Sequence, residues 1–564
     1  MSKKFVNKID EVVDDSLNGL VCANNGIQFH LTCHRVVLRS DIQQYQQSKV
    51  ALIAGGGSGH EPYAAGYIGK GLLTAAVAGN VFASPPSRHV QAALEATKSP
   101  GGAILFIINY TGDRLNFGLA AERFDGKVKV VTIGDDVAID NPNNRVGRRG
   151  LAGAVLMIKI AGSMAEQGKS IDEIYNVSQN IGKRLGTLGV SLYPGAIPGK
   201  APETNLNEDE MEIGLGIHGE PGKIRSRYVH INSIVSDILN TLRNKMELQK
   251  NQKFVVLVNN LGGVSQIEMN IINGEVIEWF KLQSFEIVRY FSGIYMTSLD
   301  GHGFSVTILN VDDETILEYL DYPTNAPGWI NSTNINLNPQ FSQIKMNSKS
   351  DLTDIEKSGV NHDPEKLRKI IENLSKAMFE SESILNKLDA FAGDGDCGST
   401  FSMAAKSIQT SMPKLTFSHP QTLLRQLAII FEQTVGGTSG ALYALMLSST
   451  STVFGNEEVS SKVCQIGLEK ANESVQIYGG ARPGDRTMID ALDAAVQTLK
   501  ICGIDETKLK WKKAAAEIAA QETSKQTASV GRASYTSAEA QTHPDAGATA
   551  IAIWLKTIFE AVYE

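Results

Sequence analysis

The sequence predicts a multidomain protein whose first half is α/β and whose second half is all-α. Three observations carry this. At 564 residues the chain exceeds what one hydrophobic core organises, so roughly two to four domains are expected. Up to residue 335, β-branched runs alternate with glycine-rich turns and helical stretches, the pattern of parallel strands layered with helices. From Pro364 onward apolar residues recur at helical spacing and no comparable strand signal remains.

Taken in order, Lys49–Ala54, Ala103–Asn109 and Lys127–Ile133 read as buried strands. Each ends in polar or glycine-rich residues: Gly55-Gly56-Gly57-Ser58-Gly59-His60-Glu61, then Tyr110-Thr111-Gly112-Asp113, then Gly134-Asp135-Asp136. Open α/β sheets place their ligands at such strand ends. From about Gly150 to Gly189 the pattern turns helical, and a second α/β unit follows with strands near Lys253–Asn259 and Phe304–Val311. Residues 336–363 lose apolar periodicity and read as a linker between 1–335 and 364–564. In the last region helices are expected over Glu365–Leu388, Thr400–Met412, Gln421–Thr434 and Ala441–Phe454, continuing to the end.

Composition narrows the function classes. Apolar content of 42% and charged content of 20% describe a water-soluble globular chain. No apolar run reaches the ~18 residues of a membrane span, and the first residues lack the apolar core of a signal peptide. Five scattered cysteines fit a reducing cytosol and hence a cytoplasmic protein, not a disulfide framework. A net charge of −8 gives no electrostatic reason to bind nucleic acid or anionic membrane.

The strongest chemical signal is Asp389-Ala-Phe-Ala-Gly393-Asp394-Gly395-Asp396-Cys397-Gly398. Glycines stop a helix here and leave Asp389, Asp394 and Asp396 close enough to converge. Three ionised carboxylates in one turn repel each other unless a cation lies between them. Their hard oxygens suit Mg²⁺, which takes its remaining ligands from water and phosphate. A solvated acidic turn is the plain alternative. Gly436-Gly437-Thr438-Ser439-Gly440 opens a helix with N–H groups and hydroxyls suited to an anion. Pro483–Met488, Gly531–Ser534 and His543–Gly547 are further glycine-marked loops, each readable as an ordinary interhelical turn. Together with the acidic turn they fit a nucleotide site at the mouth of a helical barrel better. Gly55–His60 lacks the third glycine of a dinucleotide fingerprint but still offers backbone N–H groups to an oxygen-rich ligand. His218, flanked by glycines, is accessible but by itself usually structural. Gly162–Ser170 misses phosphate-loop spacing by one residue and follows no strand, so it is set aside.

These motifs together resemble the ATP-dependent dihydroxyacetone kinase family, and within it the bifunctional animal branch. The resemblance runs nearly end to end, through GGGSGHEP (55–62), NYTGDRLNFGLA (109–120), GRRGL (147–151), GTLGVSL (186–192), GLGIHGE (214–220), NNLGG (259–263), AGDGDCG (392–398), SGALY (439–443), PGDRTM (483–488) and GRASY (531–535). It implies a DhaK-like substrate domain of two α/β subdomains, followed by a DhaL-like antiparallel helical barrel that binds ATP. It implies that His218 forms a covalent hemiaminal with a triose carbonyl, that Gly57, Ser58 and Gly59 hold the substrate, and that His60 and Asp113 act as acid and base. Asp389, Asp394 and Asp396 match the metal ligands. The resemblance assigns ATP contacts to Asp394, Gly395, Asp396, Cys397, Thr438, Ser439, Gly479, Thr487, Met488, Asp545, Ala546 and Gly547. It implies Mg²⁺ for kinase chemistry on dihydroxyacetone and D-glyceraldehyde, and a homodimer. In the animal branch it also implies splitting of FAD into AMP and riboflavin cyclic 4′,5′-phosphate with Mn²⁺ or Co²⁺. One departure stands out: the family usually has lysine before N-Y-T-G-D, where this chain has Ile108. A weakened triose-binding sensor is therefore the competing reading.

Overall fold

A computed structural model of the chain describes residues 3–139, 146–200, 206–337, 352–502 and 509–563. The chain divides into two compact units, Met1–Phe341 and Ser342–Glu564. Of the linker expected over 336–363, residues 338–351 lie outside the described residues. Its last part is fastened to the second unit: the Ser358 N–H donates to Thr422 Oγ1 at 2.9 Å and the His362 N–H to the Ser418 carbonyl at 3.0 Å.

The first unit holds two six-stranded sheets. One contains β1 (Ile27–Phe29), β2 (Val36–Arg39), β3 (Ala51–Ser58), β4 (Ala75–Val81), β5 (Ala103–Ile108) and β6 (Val128–Ile133), in the order β1-β2-β4-β3-β5-β6. Its β4-β3-β5-β6 part is parallel, as the strand–turn–helix alternation requires. The other contains β7 (Leu185–Tyr193), β8 (Glu210–Ile213), β9 (Ile224–Arg227), β10 (Lys253–Asn260), β11 (Glu286–Gly293) and β12 (His302–Val311), in the order β11-β10-β12-β7-β8-β9. Only β10 and β11 pair in parallel there.

The helix Gly153–Glu166 packs with residues of both sheets, including Phe106 and Ile108 of one and Val255, Leu257 and Leu309 of the other. Its sequence GAVLMIKIAGSMA is apolar on all sides, and every residue from Gly153 to Ala165 is buried, as expected of a central helix. Each large aliphatic side chain so buried contributes about 1.5–3 kcal/mol. Lys159 survives inside because its ammonium donates to Ser163 Oγ and to the Tyr319 and Tyr322 carbonyls, while burial lowers its pKa to about 8. Gly162 has a packing reason: a Cβ there would lie 2.5 Å from Leu72 Cα. The stretch that nearly mimics a phosphate loop is thus the C-terminal end of a core helix. The helical reading of 150–189 extends too far, since Leu185–Tyr193 is a strand. Gly186 and Gly189 stand three apart there, which imitates helical spacing, but Gly186 lets Met246 pack close, since a Cβ would lie 2.4 Å from its Sδ.

The second unit is helical. Its described helices are Pro364–Glu380, Glu382–Ala392, Cys397–Ser411, Pro420–Ile430, Gly437–Ser451, Ser461–Gly479, Met488–Cys502, Leu509–Glu522 and Ala546–Tyr563. Neighbours in sequence pack together, and Ala546–Tyr563 packs back against Pro364–Glu380, closing a ring. Leu385, Phe401, Phe431, Tyr443 and Trp554 meet in its core. The single helix expected over Glu365–Leu388 is two, broken at Ser381, whose hydroxyl bonds back to the Met378 carbonyl at 3.1 Å. Among the described residues no helix is long and apolar enough to cross a membrane.

Candidate functional site

In the first unit the glycine stretch at the end of β3 leads straight into His60. Glycine is required at Gly55, because a Cβ there would stand 2.2 Å from the Val77 carbonyl oxygen. Gly59 has φ +99°. The segment after β11 clamps this turn: the Leu299 N–H donates to the Gly59 carbonyl at 2.7 Å, and the Thr297 N–H to the His60 carbonyl at 3.2 Å. His60 Nδ1 lies 2.9 Å from the Thr297 carbonyl oxygen. A carbonyl only accepts, so Nδ1 carries the proton and Nε2 the lone pair. His60 Nε2 is buried with no hydrogen-bond partner. Burial and the neighbouring His218 push the His60 imidazole down to about 3.

His218 lies on the loop between β8 and β9. Its ring centroid is 4.8 Å from that of His60 and 4.5 Å from that of Tyr110, edge-on to both. The loop is held by Arg149, which donates to the Gly214 carbonyl at 2.7 Å and to Asp136 at 2.8 Å. Tyr110 accepts the Ile217 N–H at 3.4 Å. Glu220 accepts the His218 N–H at 2.9 Å and lies 3.3 Å from His218 Nδ1. Burial works to raise the Glu220 carboxyl, but its bonds with His218 outweigh this and hold it at about 2. An ionised Glu220 can only accept, so the His218 Nδ1 facing it is the ring nitrogen that donates.

Asp113, near the start of the helix Thr111–Arg123, is 1% exposed, and its Oδ1 has no partner. Burial raises its carboxyl to about 6, against a hydrogen bond from Ser84 and the pull of His218. Two buried polar atoms without partners, beside one accessible histidine, are what a polar ligand site leaves when a protein is described alone.

Ile108 is wholly buried at the end of β5. A Cβ on Gly56 would lie 3.6 Å from Ile108 Cδ1 and 3.8 Å and 3.9 Å from the two Asp113 carboxyl oxygens. The Ile108 alkyl group and the Asp113 carboxylate thus both face Gly56. Of the predicted substrate contacts, the Ser58 hydroxyl is committed to the Gly79 carbonyl at 2.8 Å, and the Gly59 N–H to the Glu61 carboxylate at 3.0 Å. Glu220, Tyr110 and Arg149 were not singled out from the sequence. The signal for Glu220 was its place two residues after His218 in a turn.

In the second unit Asp389, Asp394 and Asp396 each offer a carboxylate oxygen, and these oxygens lie within 4.8 Å of one another. The turn is shaped by Asp389 itself, which accepts the Gly395 and Asp396 N–H groups at 2.9 Å and 3.1 Å. Gly395 takes φ +78°. Asn386 and Ser399 bridge the two flanking helices through paired bonds of 2.8 Å and 2.9 Å. Three hard anionic oxygens at this spacing fit a divalent cation.

Other predicted loops gather here. Asp389 acts electrostatically on Asp545, whose carboxyl desolvation raises to about 6. A Cβ on Gly547 would lie 3.5 Å from Met488 Cβ, and one on Gly479 would lie 3.3 Å from Leu442 in the helix that starts at Gly437. Arg486 donates to the His543 carbonyl at 2.9 Å and tethers that loop. Asp490 accepts the Gly484 and Thr487 N–H groups at 2.7 Å and 2.8 Å. Tyr443, one turn beyond Thr438 and Ser439, is buried, and burial first, then the neighbouring Cys397 and Asp545, push its phenol well above the usual range.

The Dak1 domain family matches residues 18–328 and the DAK2 domain family residues 391–560. The chain is 39% identical over 577 residues to the "Triokinase/FMN cyclase" of Homo sapiens, covering 100% of this chain and 99% of that protein. It is 35% identical over 576 residues to "Dihydroxyacetone kinase 2" of Saccharomyces cerevisiae, covering 96% and 95%. Among solved structures, the dihydroxyacetone kinase of C. freundii in its native form aligns with a TM-score of 0.71 at 31% identity, over 100% of this chain and 99% of that one. The same kinase in complex with AMP-PNP and Mg²⁺ aligns with a TM-score of 0.69. Full-length identity, both domain families in order and the shared fold make this chain a two-domain member of the dihydroxyacetone kinase family.

Proposed function

We propose that this chain transfers the γ-phosphoryl group of ATP to dihydroxyacetone and D-glyceraldehyde, with the triose carbonyl held covalently on His218. The observation that carries the reading is the grouping of His218, its Nδ1 engaged by Glu220, with the His60 ring 4.8 Å away and with Asp113, on whose carboxyl His218 acts; His60 Nε2 and Asp113 Oδ1 have no partner. Nε2 of His218 attacks the carbonyl carbon, the π pair moves to oxygen, and that oxygen takes up a proton. The positive charge left on the ring is held by the Glu220 carboxylate. A polyol lacking a carbonyl cannot be held this way. His60 and Asp113 are the acid/base pair for the hydroxyl that attacks phosphorus: Asp113 takes up its proton, and the His60 Nε2 lone pair orients it.

In the helical unit Asp389, Asp394 and Asp396 would hold Mg²⁺. An ion bound there would supply charge neutralisation for the phosphate oxygens. Thr438 and Ser439 offer hydroxyls and N–H groups to phosphate oxygens. The nucleoside contacts are assigned to Gly479, Thr487, Met488 and the turn Asp545-Ala546-Gly547. Asp394, Gly395, Asp396 and Cys397 line the phosphate side. We place this chemistry in a cytosolic homodimer.

A second reaction is proposed for the same helical unit: splitting FAD into AMP and riboflavin cyclic 4′,5′-phosphate with Mn²⁺ or Co²⁺. The full-length likeness to a protein named triokinase/FMN cyclase supports it. The test is a paired assay on one preparation, ADP formation with dihydroxyacetone and AMP release from FAD. Absence of both in folded, metal-loaded protein overturns the enzyme reading and leaves a triose-binding sensor.

Two expected results bear on the substrate site. Ile108→Lys supplies Asp113 and the triose oxygens with a charged donor, worth about 1.5–3 kcal/mol. The KM for dihydroxyacetone should fall about 10- to 150-fold, and an unchanged KM would remove Ile108 from the site. The pH profile follows from Asp113, whose pKa is raised to about 6. Its base form disappears below that value, so kinase kcat/KM should drop about tenfold per pH unit under pH 6. His60, held near 3, stays neutral throughout. A profile flat down to pH 4.5 would exclude Asp113 as the base.

A further inference from the structure

Phe391 and His543 lie face to face, their ring centroids 3.6 Å apart and their planes within 1°. Phe391 lies in the last turn of the helix Glu382–Ala392, and His543 lies on the segment that leads into the helix Ala546–Tyr563. Phe391 stands between Asp389 and Asp394 in sequence, and His543 precedes Asp545 by two residues. Arg486, itself 2% exposed, holds the His543 segment through the His543 carbonyl. The imidazole covers one face of the Phe391 ring, yet Phe391 remains 38% exposed, so aromatic surface is left open at the end of the helix that leads into the acidic turn. We propose that the Phe391–His543 stack is the platform on which the isoalloxazine ring of FAD lies while the FAD diphosphate is held at the acidic cluster.

This rests on the FAD reading above and adds to it the group that receives the second ring. FAD carries a flat ring on each side of its diphosphate, whereas ATP carries one. The loops around Gly479, Met488 and Gly547 serve the adenosine that both substrates share. The flavin therefore needs another flat surface near the phosphates, and Phe391 with His543 offers one. Stacking of a heteroaromatic ring on an aromatic side chain is sequence-tolerant and strong enough to govern affinity. ATP has nothing to place there, so the platform discriminates between the two substrates.

The test uses the full chain and the variants Phe391→Ala and Phe391→Trp. Binding is read by flavin fluorescence anisotropy with FMN, which has the flavin but no diphosphate to split. Turnover is read as kcat/KM for AMP release from FAD and for ADP formation from ATP. With Phe391→Ala, FMN affinity and the FAD-to-ATP ratio of kcat/KM should both fall about 5- to 150-fold. Phe391→Trp should restore both, which a mere folding defect would not permit. Equal losses for FAD and ATP would overturn the proposal, because the stack would then serve the shared adenosine. Unchanged FMN affinity in Phe391→Ala would also overturn it. If the parent chain releases no AMP from FAD, the FAD reading fails by itself, and the FMN titration still decides whether the stack binds a flavin.

Discussion

Asp394→Ala is expected to lower ATP-dependent and FAD-dependent turnover together, by about 10²–10³-fold or more. The three oxygens lie within 4.8 Å of one another, and removing one leaves two carboxylates to hold a divalent ion. Asp394 is exposed, so thermal stability without metal should change little, within about 0.5 kcal/mol. Asp389→Ala should differ, because Asp389 also accepts the Gly395 and Asp396 N–H groups and loses the turn with its charge. The measurement is both rates at saturating Mg²⁺ or Mn²⁺ beside a metal-free melting curve. Survival of either rate to within tenfold would detach that activity from the cluster.

His218→Ala separates the activities. Kinase turnover should fall on the order of 10³-fold, the scale on which one positioned catalytic group acts. AMP release from FAD should stay within about twofold, because none of the proposed contacts to FAD lies in the first unit. Intact-mass analysis under native conditions with dihydroxyacetone gives an independent reading of the covalent link. Adduct formation in the alanine variant would mean that another nucleophile holds the substrate. Glu220→Gln should retain the adduct but slow its formation, since a neutral amide no longer stabilises the charged ring.

Legibility differed between the two sites. The acidic turn could be read directly, because Asp389, Asp394 and Asp396 are neighbours in sequence and glycines mark where the helix stops. The strands β3, β5, β6, β10 and β12 were equally plain as runs of β-branched and aliphatic residues. Strand β7 was not, because Gly186 and Gly189 dilute its alternation and imitate helical spacing. The short strands β1, β8 and β9 have three or four residues each, too few for any period to emerge. The candidate site of the first unit was legible only in pieces. His60, Asp113 and His218 come from three distant stretches, and their meeting depends on sheet order, which no local pattern encodes. Glu220 was hidden for another reason: it acts on His218, and a glutamate in a glycine-rich turn looks like surface. Phe391 reads as one more apolar helix position until His543, about 150 residues on, is found against it.

The clamp on His60 has a consequence for how the gene can be divided. The atom that fixes the His60 tautomer is the Thr297 carbonyl, 237 positions away and in the other sheet's half of the first unit. The two halves are therefore not interchangeable modules. A polypeptide ending ahead of β11 would contain His60, Asp113, His218 and Glu220, yet its His60 would be free to carry its proton on either nitrogen. Split versions of the chain that retain triose chemistry should have their break after Leu299. Breaks between the sheets should give fragments that work only when they reassemble.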